Sequence, residues 1–284
     1  MRPRPVAGRL LADRAVRVIM VPAALVGIVV LAWILWEVVS RGAGALSPAF
    51  FTALPAPPGE EGGGLANAIV GTLLMTAIAT GIGAPIGLLA GVFLAEFGAR
   101  SRIATAVRFT TNLLMGTPSI IVGVFVYGVL VLPAGHFSGW AGAIALAIIM
   151  LPVVLRTTED MLRLVPNELR ESALALGSPR WKMTLAVVFR AARTGLVTGT
   201  LLAVARVSGE TAPLLFTSLN SFYWPESLGE PTANLTVTIF NYAMSPYADW
   251  QAKAWGASLL ITVAVLLVAV LARFTLEGRK GRQW

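Results

Sequence analysis

Six apolar runs leave this chain few folds to adopt: Val18–Val39, Ala68–Leu94, Pro118–Leu132, Ser138–Leu155, Leu196–Phe216 and Ala254–Ala272. A hydrocarbon layer of about 30 Å is crossed by about 20 helical residues rising about 1.5 Å each. Most of the runs reach that length, and the third and fourth are short. Backbone amides in lipid must be satisfied within their own segment or in a closed barrel, and no alternating strand pattern runs through the chain. The expected class is therefore an all-α integral membrane protein with six transmembrane helices. Composition agrees, since 56% of the 284 residues are apolar and only 13% are charged, with a mean hydropathy of +0.77. Soluble domains carry about twice that share of charge.

A net charge of +8 raises the question of nucleic acid. The basic residues, however, are scattered between apolar runs instead of forming one basic and aromatic surface, which points to a lipid bilayer and to no nucleic acid. Their distribution also sets an orientation. Of the 22 Lys and Arg residues, all but Arg41, Lys253 and Arg206 fall in segments on one side: the N-terminal stretch Arg2 to Arg17, the group Arg100 to Arg108, the stretch Arg156 to Arg193, and the C-terminal Arg273 to Arg282. Cytoplasmic loops retain positive charge, so both termini are expected in the cytoplasm. The first run resembles a secretory signal in having basic residues before it and Ala43-Gly44-Ala45 after it. A signal core spans only about 7–15 apolar residues, and the longer Val18–Val39 is read as an uncleaved anchor.

The chemistry available to the chain is narrow. Cysteine is absent and His136 is the only histidine, which removes disulfides, thiolate catalysis and zinc clusters from consideration. No G-x-x-x-x-G-K-[ST] cradle occurs, so the chain has no nucleotide site of its own and no catalytic or metal residues are assigned. It is expected not to be an enzyme.

Between the fourth and fifth runs, Val165 to Lys182 is punctuated as two short helices with a corner. Pro166 can open the first helix and Gly177 can close it, while Ser178 and Pro179 carry the start signals of the next. On these residues the chain resembles the permeases of binding-protein-dependent ABC importers. Their signature loop has Glu-Ala-Ala, three residues, Gly, nine residues, then Ile-x-Leu-Pro. Glu171, Ser172 and Ala173 match the first three positions and Gly177 the glycine, with Val187, Phe189 and Arg190 closing the pattern. Ser172 and Arg190 depart from it. The resemblance implies that this elbow docks into an ATPase subunit.

Further stretches, Leu94–Gly98, Gly116–Ile120, Leu151–Glu159, Gly209–Thr217 and Ile239–Pro246, resemble the phosphate permeases of the PstA type in the same order. That likeness covers roughly Ala68 to Arg273. It implies a type I ABC importer permease fold in the bacterial inner membrane, with an N-terminal segment at 1–66, the permease domain at 67–274 and a basic tail at 275–284. It also implies a homologous second permease, two ATPase subunits that bind ATP-Mg, and a periplasmic phosphate-binding protein. This chain would need no cofactor. Permeases for sulfate, molybdate or phosphonate share the general loop, and a proton-coupled carrier and a membrane scaffold or enzyme are the other classes open to a polytopic chain.

Candidate pathway residues follow from charge in apolar surroundings. Arg206 and Glu210 form the only oppositely charged pair deep in the fifth run, and an ionised side chain at a helix centre costs about 2.5–3.5 kcal/mol on insertion scales. Their i, i+4 spacing would place them on one helical face. The guanidinium suits phosphate oxygens, and Glu210 could hold it until substrate arrives; the resemblance adds Thr211 beside them. Thr117 can cap a helix begun by Pro118, which, if drawn into the membrane, would turn its N-terminal amides, with Ser119, towards an anion; the alternative is an interfacial break between a cytoplasmic helix near Ala104 to Met115 and the third run. Gly83, Gly87 and Gly91 line one face of the second run and fit either the partner permease or a helix of this subunit. Pro85 is expected to bend that helix. The aromatics between Thr217 and Lys253 fit either an interfacial belt or a docking surface.

Overall fold

The computed structural model describes residues 6–98 and 101–277, so Arg2, Arg4, Arg100, Arg279, Lys280 and Arg282 of the orientation reading lie outside the described residues. Among the described residues there is no strand, only an isolated bridge between Pro55 and Gly63. Helices α1 (Val6–Gly42), α2 (Pro48–Thr52), α3 (Ala66–Val92) and α4 (Arg102–Gly116) come first. Next, α5 (Ser119–Val126) and α6 (Leu132–Ala134) are joined by a π-helical turn at Tyr127–Val131, and α7 (Gly139–Arg163) follows. The chain continues through α8 (Asn167–Ala175), α9 (Arg180–Met183), α10 (Phe189–Ser208), α11 (Ala212–Leu215), α12 (Leu235–Ala243) and α13 (Ala248–Glu277).

Five helical stretches are long and apolar enough to cross a membrane, and a sixth arises if α4 and the helix from Ser119 to Ala134, bent by 105° at their junction, count as one broken span. The fifth run is where expectation and structure part. A π-helical turn at Thr184–Val188 joins α9 to α10, so the helix occupies Arg180–Ser208 and not Leu196–Phe216. Two physical facts account for the shift. Arg and Lys are good helix formers, so Arg180, Lys182, Arg190 and Arg193 sit in helix although they lower hydropathy. Beyond Ser208, Gly209 and Pro213 interrupt the helix while the residues around them stay apolar. Arg190, where the loop pattern has proline, lies inside this unbroken helix.

The core is a slab of α3 against α7. Gly83, Gly87 and Gly91 form the contact, which settles their role: they pack within this subunit. A Cβ at Gly83 would meet Ala147 O at 3.0 Å, at Gly87 Val154 Cβ at 2.9 Å, and at Gly91 Thr158 Cβ at 2.5 Å. Small residues let two helices approach where lipid supplies no hydrophobic drive, so dispersion does the work. The helix runs on through Pro85, which lies on its exposed face. By contrast, α1 stands away from the body and exposes Val18, Ile19, Trp33 and Trp36; it touches α13 near its end, where Gly42 meets the Trp255 carbonyl and Arg41 lies 5.2 Å from the Trp255 ring.

The connection from Gly209 to Asn234 folds back into the molecule and carries its own polar framework. Thr217, Ser218, Thr232 and Asn234 are all buried. The Thr217 hydroxyl donates to Pro213 O at 2.8 Å, Asn234 Nδ2 donates to Ser218 Oγ at 3.2 Å, and Asn234 Oδ1 accepts from Val237 N at 2.8 Å, capping α12. Buried polar groups need such partners, and here they give an irregular segment one conformation. The aromatics beyond it divide. Tyr242 stacks on Trp250 at 4.3 Å with Phe222 and Tyr247 around the same indole, whereas Tyr223 stays exposed.

Candidate functional site

Two groups of residues can be followed from sequence to geometry. The first lies where α4 turns into α5 and where α10 ends. Thr117 does not cap α5: it is the C-cap of α4, and its hydroxyl donates to Leu113 O at 2.8 Å. Thr117 is extended because proline disfavours the helical conformation for the residue before it, Pro118 takes the N-cap position, and α5 opens at Ser119. Glu210 likewise lies outside the helix, two residues past Ser208, and Arg206 sits in the last turn of α10. The shared helical face is therefore corrected to a pair across a helix end. A cation in that position is favoured by the helix dipole, and Arg206 Nε still comes within 3.9 Å of Glu210 Oε1.

The structure brings three of the five expected pathway residues together. Thr117, Ser119 and Arg206 line one cavity of about 20 Å³ with Leu114, Ile149, Pro152 and Val153. That volume holds about one water molecule and is too small for an oxyanion. The Arg206 side chain is 53% exposed at its rim, while Glu210 is 16% exposed. Glu210 and Thr211 do not line the cavity. They hold the break instead: Glu210 O accepts from Thr236 Oγ1 at 2.8 Å, and Thr211 O accepts from Leu214 N at 3.1 Å to open α11. The α11 turn lies directly on α5, since a Cβ at Gly123 would sit 2.6 Å from Pro213 Cα.

The second group is the elbow. Helix α8 closes as its punctuation predicts. Gly177 has a φ of +79°, Gly177 N donates to Leu174 O at 2.9 Å and Ser178 N donates to Ala173 O at 3.2 Å, the paired bonds of a Schellman motif. Ser178 makes no cap for α9, whose N-cap is Pro179 without a side-chain bond. Glu171 and Ser172 are exposed, and Ala173 is buried against Val165, Met183, Val188 and Ala192. The outer surface presents Leu169, Leu174, Leu176 and Trp181.

With this geometry in view, the chain matches the model of the family described as "Binding-protein-dependent transport system inner membrane component" over residues 83–277. The chain belongs to this family. It is 50% identical over 268 residues to the "Phosphate transport system permease protein PstA" of Yersinia pestis, covering 94% of this chain and 91% of the relative. It is 48% identical over 257 residues to the protein of the same description in Haemophilus influenzae, at 90% of each chain. Among solved structures, its fold is similar to a chain of the inward-facing MetNI methionine ABC transporter, with a TM-score of 0.62 at 21% identity over 74% of this chain and 94% of that one. A chain of a bacterial alginate ABC transporter also gives a TM-score of 0.62, at 14% identity over 95% and 96%. The last two describe fold alone.

In this inner membrane component the structure also reveals charged residues to which the sequence reading gave no role. The Glu159 side chain is fully buried and meets three arginines: Arg108 Nε at 2.8 Å, Arg163 Nη2 at 2.6 Å and Arg156 Nη1 at 3.8 Å. Arg108 also donates to Leu94 O at 2.9 Å, so the knot binds α4, α7 and the end of α3. A buried carboxylate is tolerable only with such partners. Glu96, 5% exposed, pairs with Arg170 of α8 at 2.7 Å. The available signal was a carboxylate at the end of an apolar run in each case, Glu96 after α3 and Glu159, beside Asp160, in α7, inside stretches already marked by their resemblance.

Proposed function

We propose that this chain is the permease subunit of an ATP-driven importer of inorganic phosphate. The observation that carries the reading is the meeting of Arg206, Thr117 and Ser119 around one cavity, in a chain 50% and 48% identical to two phosphate transport permeases. In this reading the permease body spans 67–274 in the inner membrane, with both termini and the elbow on the cytoplasmic side. Its partners in this reading are a homologous second permease, two ATPase subunits carrying ATP-Mg, and a periplasmic phosphate-binding protein.

The chemistry follows from the side chains. A guanidinium presents a planar fork of donors that matches two oxygens of a tetrahedral anion and keeps its charge at any physiological pH. At 3.9 Å, Glu210 neutralises part of that charge without a hydrogen bond, which leaves the fork available to an incoming anion. Phosphate bound there would weaken the Arg206–Glu210 attraction, and Glu210 restores it when the anion leaves. The guanidinium is half-exposed, which leaves it open to a surface that the second permease would cover to complete the pathway. Because the cavity is smaller than the ion, movement of α5 against α10 must open it.

The test is reconstitution with the candidate partners in liposomes, followed by ATP-dependent uptake of phosphate, sulfate and molybdate. Phosphate is expected to be preferred, and a preference for sulfate would overturn the substrate. In the same system Arg206→Ala is expected to abolish uptake while leaving assembly intact. Wild-type uptake by a correctly assembled Arg206→Ala complex would exclude the arginine from the pathway.

A further inference from the structure

The elbow helix α8 has little to hold it. Ala173 is its only buried residue, and Leu169, Leu174 and Leu176 on the same segment are exposed. Beyond Ala173, what ties it to the body is the side chain of Arg170. Arg170 Nη2 donates to Glu96 Oε1 at 2.7 Å, beyond the end of α3, and to Leu162 O at 2.7 Å, in the last turn of α7. Nε reaches both Glu96 oxygens at 3.3 Å, and Nη1 donates to Val165 O. The guanidinium thus uses its fork in three directions at once. It caps the carbonyl end of α7, pairs with a carboxylate that is 5% exposed, and is itself only 16% exposed.

These contacts sit at a mechanical junction. On one side of Gly177 lies α8, clamped through Arg170 to the α3–α7 slab whose glycine face allows backbone contact. On the other side, Arg180–Ser208 is a single helix of 29 residues, a rod of about 43 Å, with Arg206 in its far turn. Gly177, at φ +79°, is held by its own bond to Leu174 O and by the bond of Ser178 N to Ala173 O, so the corner joins α8 to the rod in one defined conformation. If α8 rocked loosely, a displacement of the elbow would be dissipated there. With α8 held, the same displacement must appear in the rod.

We propose that Arg170 is a positioning residue that fixes the elbow to α3 and α7, so that force applied at the elbow is delivered through Arg180–Ser208 to the Arg206 site. The inference rests on the permease reading above. Arg170 touches neither nucleotide nor substrate; it converts the elbow into a pivot. A lysine keeps the charge but has one point of donation in place of the fork, and Glu96→Gln keeps an acceptor while removing the charge.

The experiment uses the full complex in liposomes with Arg170→Lys, Arg170→Ala, Glu96→Gln and Glu96→Asp, measuring phosphate transported and ATP hydrolysed in the same vesicles. The wild-type complex is measured first. Absence of ATP-driven phosphate uptake by wild type counts against the permease reading and not against the pivot. The expected result is assembly and ATP hydrolysis near wild type, with phosphate moved per ATP lower by about fivefold or more for Arg170→Lys and Arg170→Ala, the lower end of a typical coupling between sites. Glu96→Asp is expected to recover more of the ratio than Glu96→Gln. A purely structural role would lower assembly, hydrolysis and uptake in proportion and leave their ratio unchanged. An unchanged ratio, or loss of assembly in every variant, overturns the proposal.

Discussion

Gly91→Ala is a direct probe of the slab that carries both sites. An ideal Cβ at Gly91 lies 2.5 Å from Thr158 Cβ and 2.7 Å from Leu155 O. Carbon atoms rest at about 3.5–4.0 Å, so α3 and α7 must part by about 1 Å. Neither obstruction can rotate away, since one is a Cβ and the other a backbone oxygen. The conflict declines along the helix: at Gly87 the nearest atoms are Val154 Cβ at 2.9 Å and Leu151 O at 3.0 Å, and at Gly83 they are Ala147 O at 3.0 Å and Met150 Cβ at 3.3 Å. Overpacking of this kind costs about 1–3 kcal/mol, with Gly91→Ala the worst and Gly83→Ala the mildest. Gly81, on the same helix with nothing within 4 Å, is the control. Alanine there gains up to about 1 kcal/mol of helix propensity. At about 2–4 °C per kcal/mol, Gly91→Ala is expected to melt about 2–12 °C below wild type and Gly81→Ala at or above it. Heating the detergent-purified protein and measuring the monodisperse fraction by size exclusion gives the midpoints of wild type and of the alanine variants at Gly81, Gly83, Gly87 and Gly91. Equal midpoints for Gly91→Ala and Gly81→Ala, or the reverse order along the helix, would refute backbone contact between α3 and α7.

Three further outcomes follow from particular contacts. Gly177→Val places a branched side chain at φ +79° in open space, so its cost of about 1 kcal/mol or more is conformational. ATPase co-purification is expected to fall with valine and to be kept better with asparagine, which tolerates that conformation. Asn234→Ala removes the cap of α12, about 1 kcal/mol, and leaves buried groups unpaired at a further cost of about 1–3 kcal/mol; a thermal midpoint unchanged from wild type would refute this. Burial, reinforced by the Asp249 charge, pushes the Tyr242 phenol up to about 12 from 10.0. Because the folded state holds that proton more tightly than the unfolded chain, stability is level below about pH 10 and falls as the pH climbs towards about 12. Alkaline ultraviolet titration of wild type against Tyr242→Phe is expected to isolate one late-ionising tyrosine.

Much of this protein was legible as sequence because lipid imposes local rules. A segment that crosses hydrocarbon must satisfy its own backbone, so apolar length alone located α1, α3, α7 and α13. The elbow was legible for a similar reason: α8 closes by the bonds of Gly177 to Leu174, three positions back, and of Ser178 to Ala173, five back, and only a residue free to take a positive φ at 177 allows this readily. Spacing around that glycine was also enough to mark the family. Tertiary structure decided the rest. The fifth helix ends at Ser208, where Gly209 and Pro213 let the chain turn back to bury Thr217, Ser218 and Asn234, and hydropathy has no term for such a turn. Thr117 closes α4 instead of opening α5, a choice between two neighbouring helices that a cap residue cannot make alone. The glycines of α3 name a close contact but not its partner, which proved to be α7. Arg170 and Glu96 stand 74 positions apart, and nothing local in either segment announces the other. Local rules are written in adjacent residues and can be read there, whereas a clamp between distant helices exists only once packing has brought its two ends together.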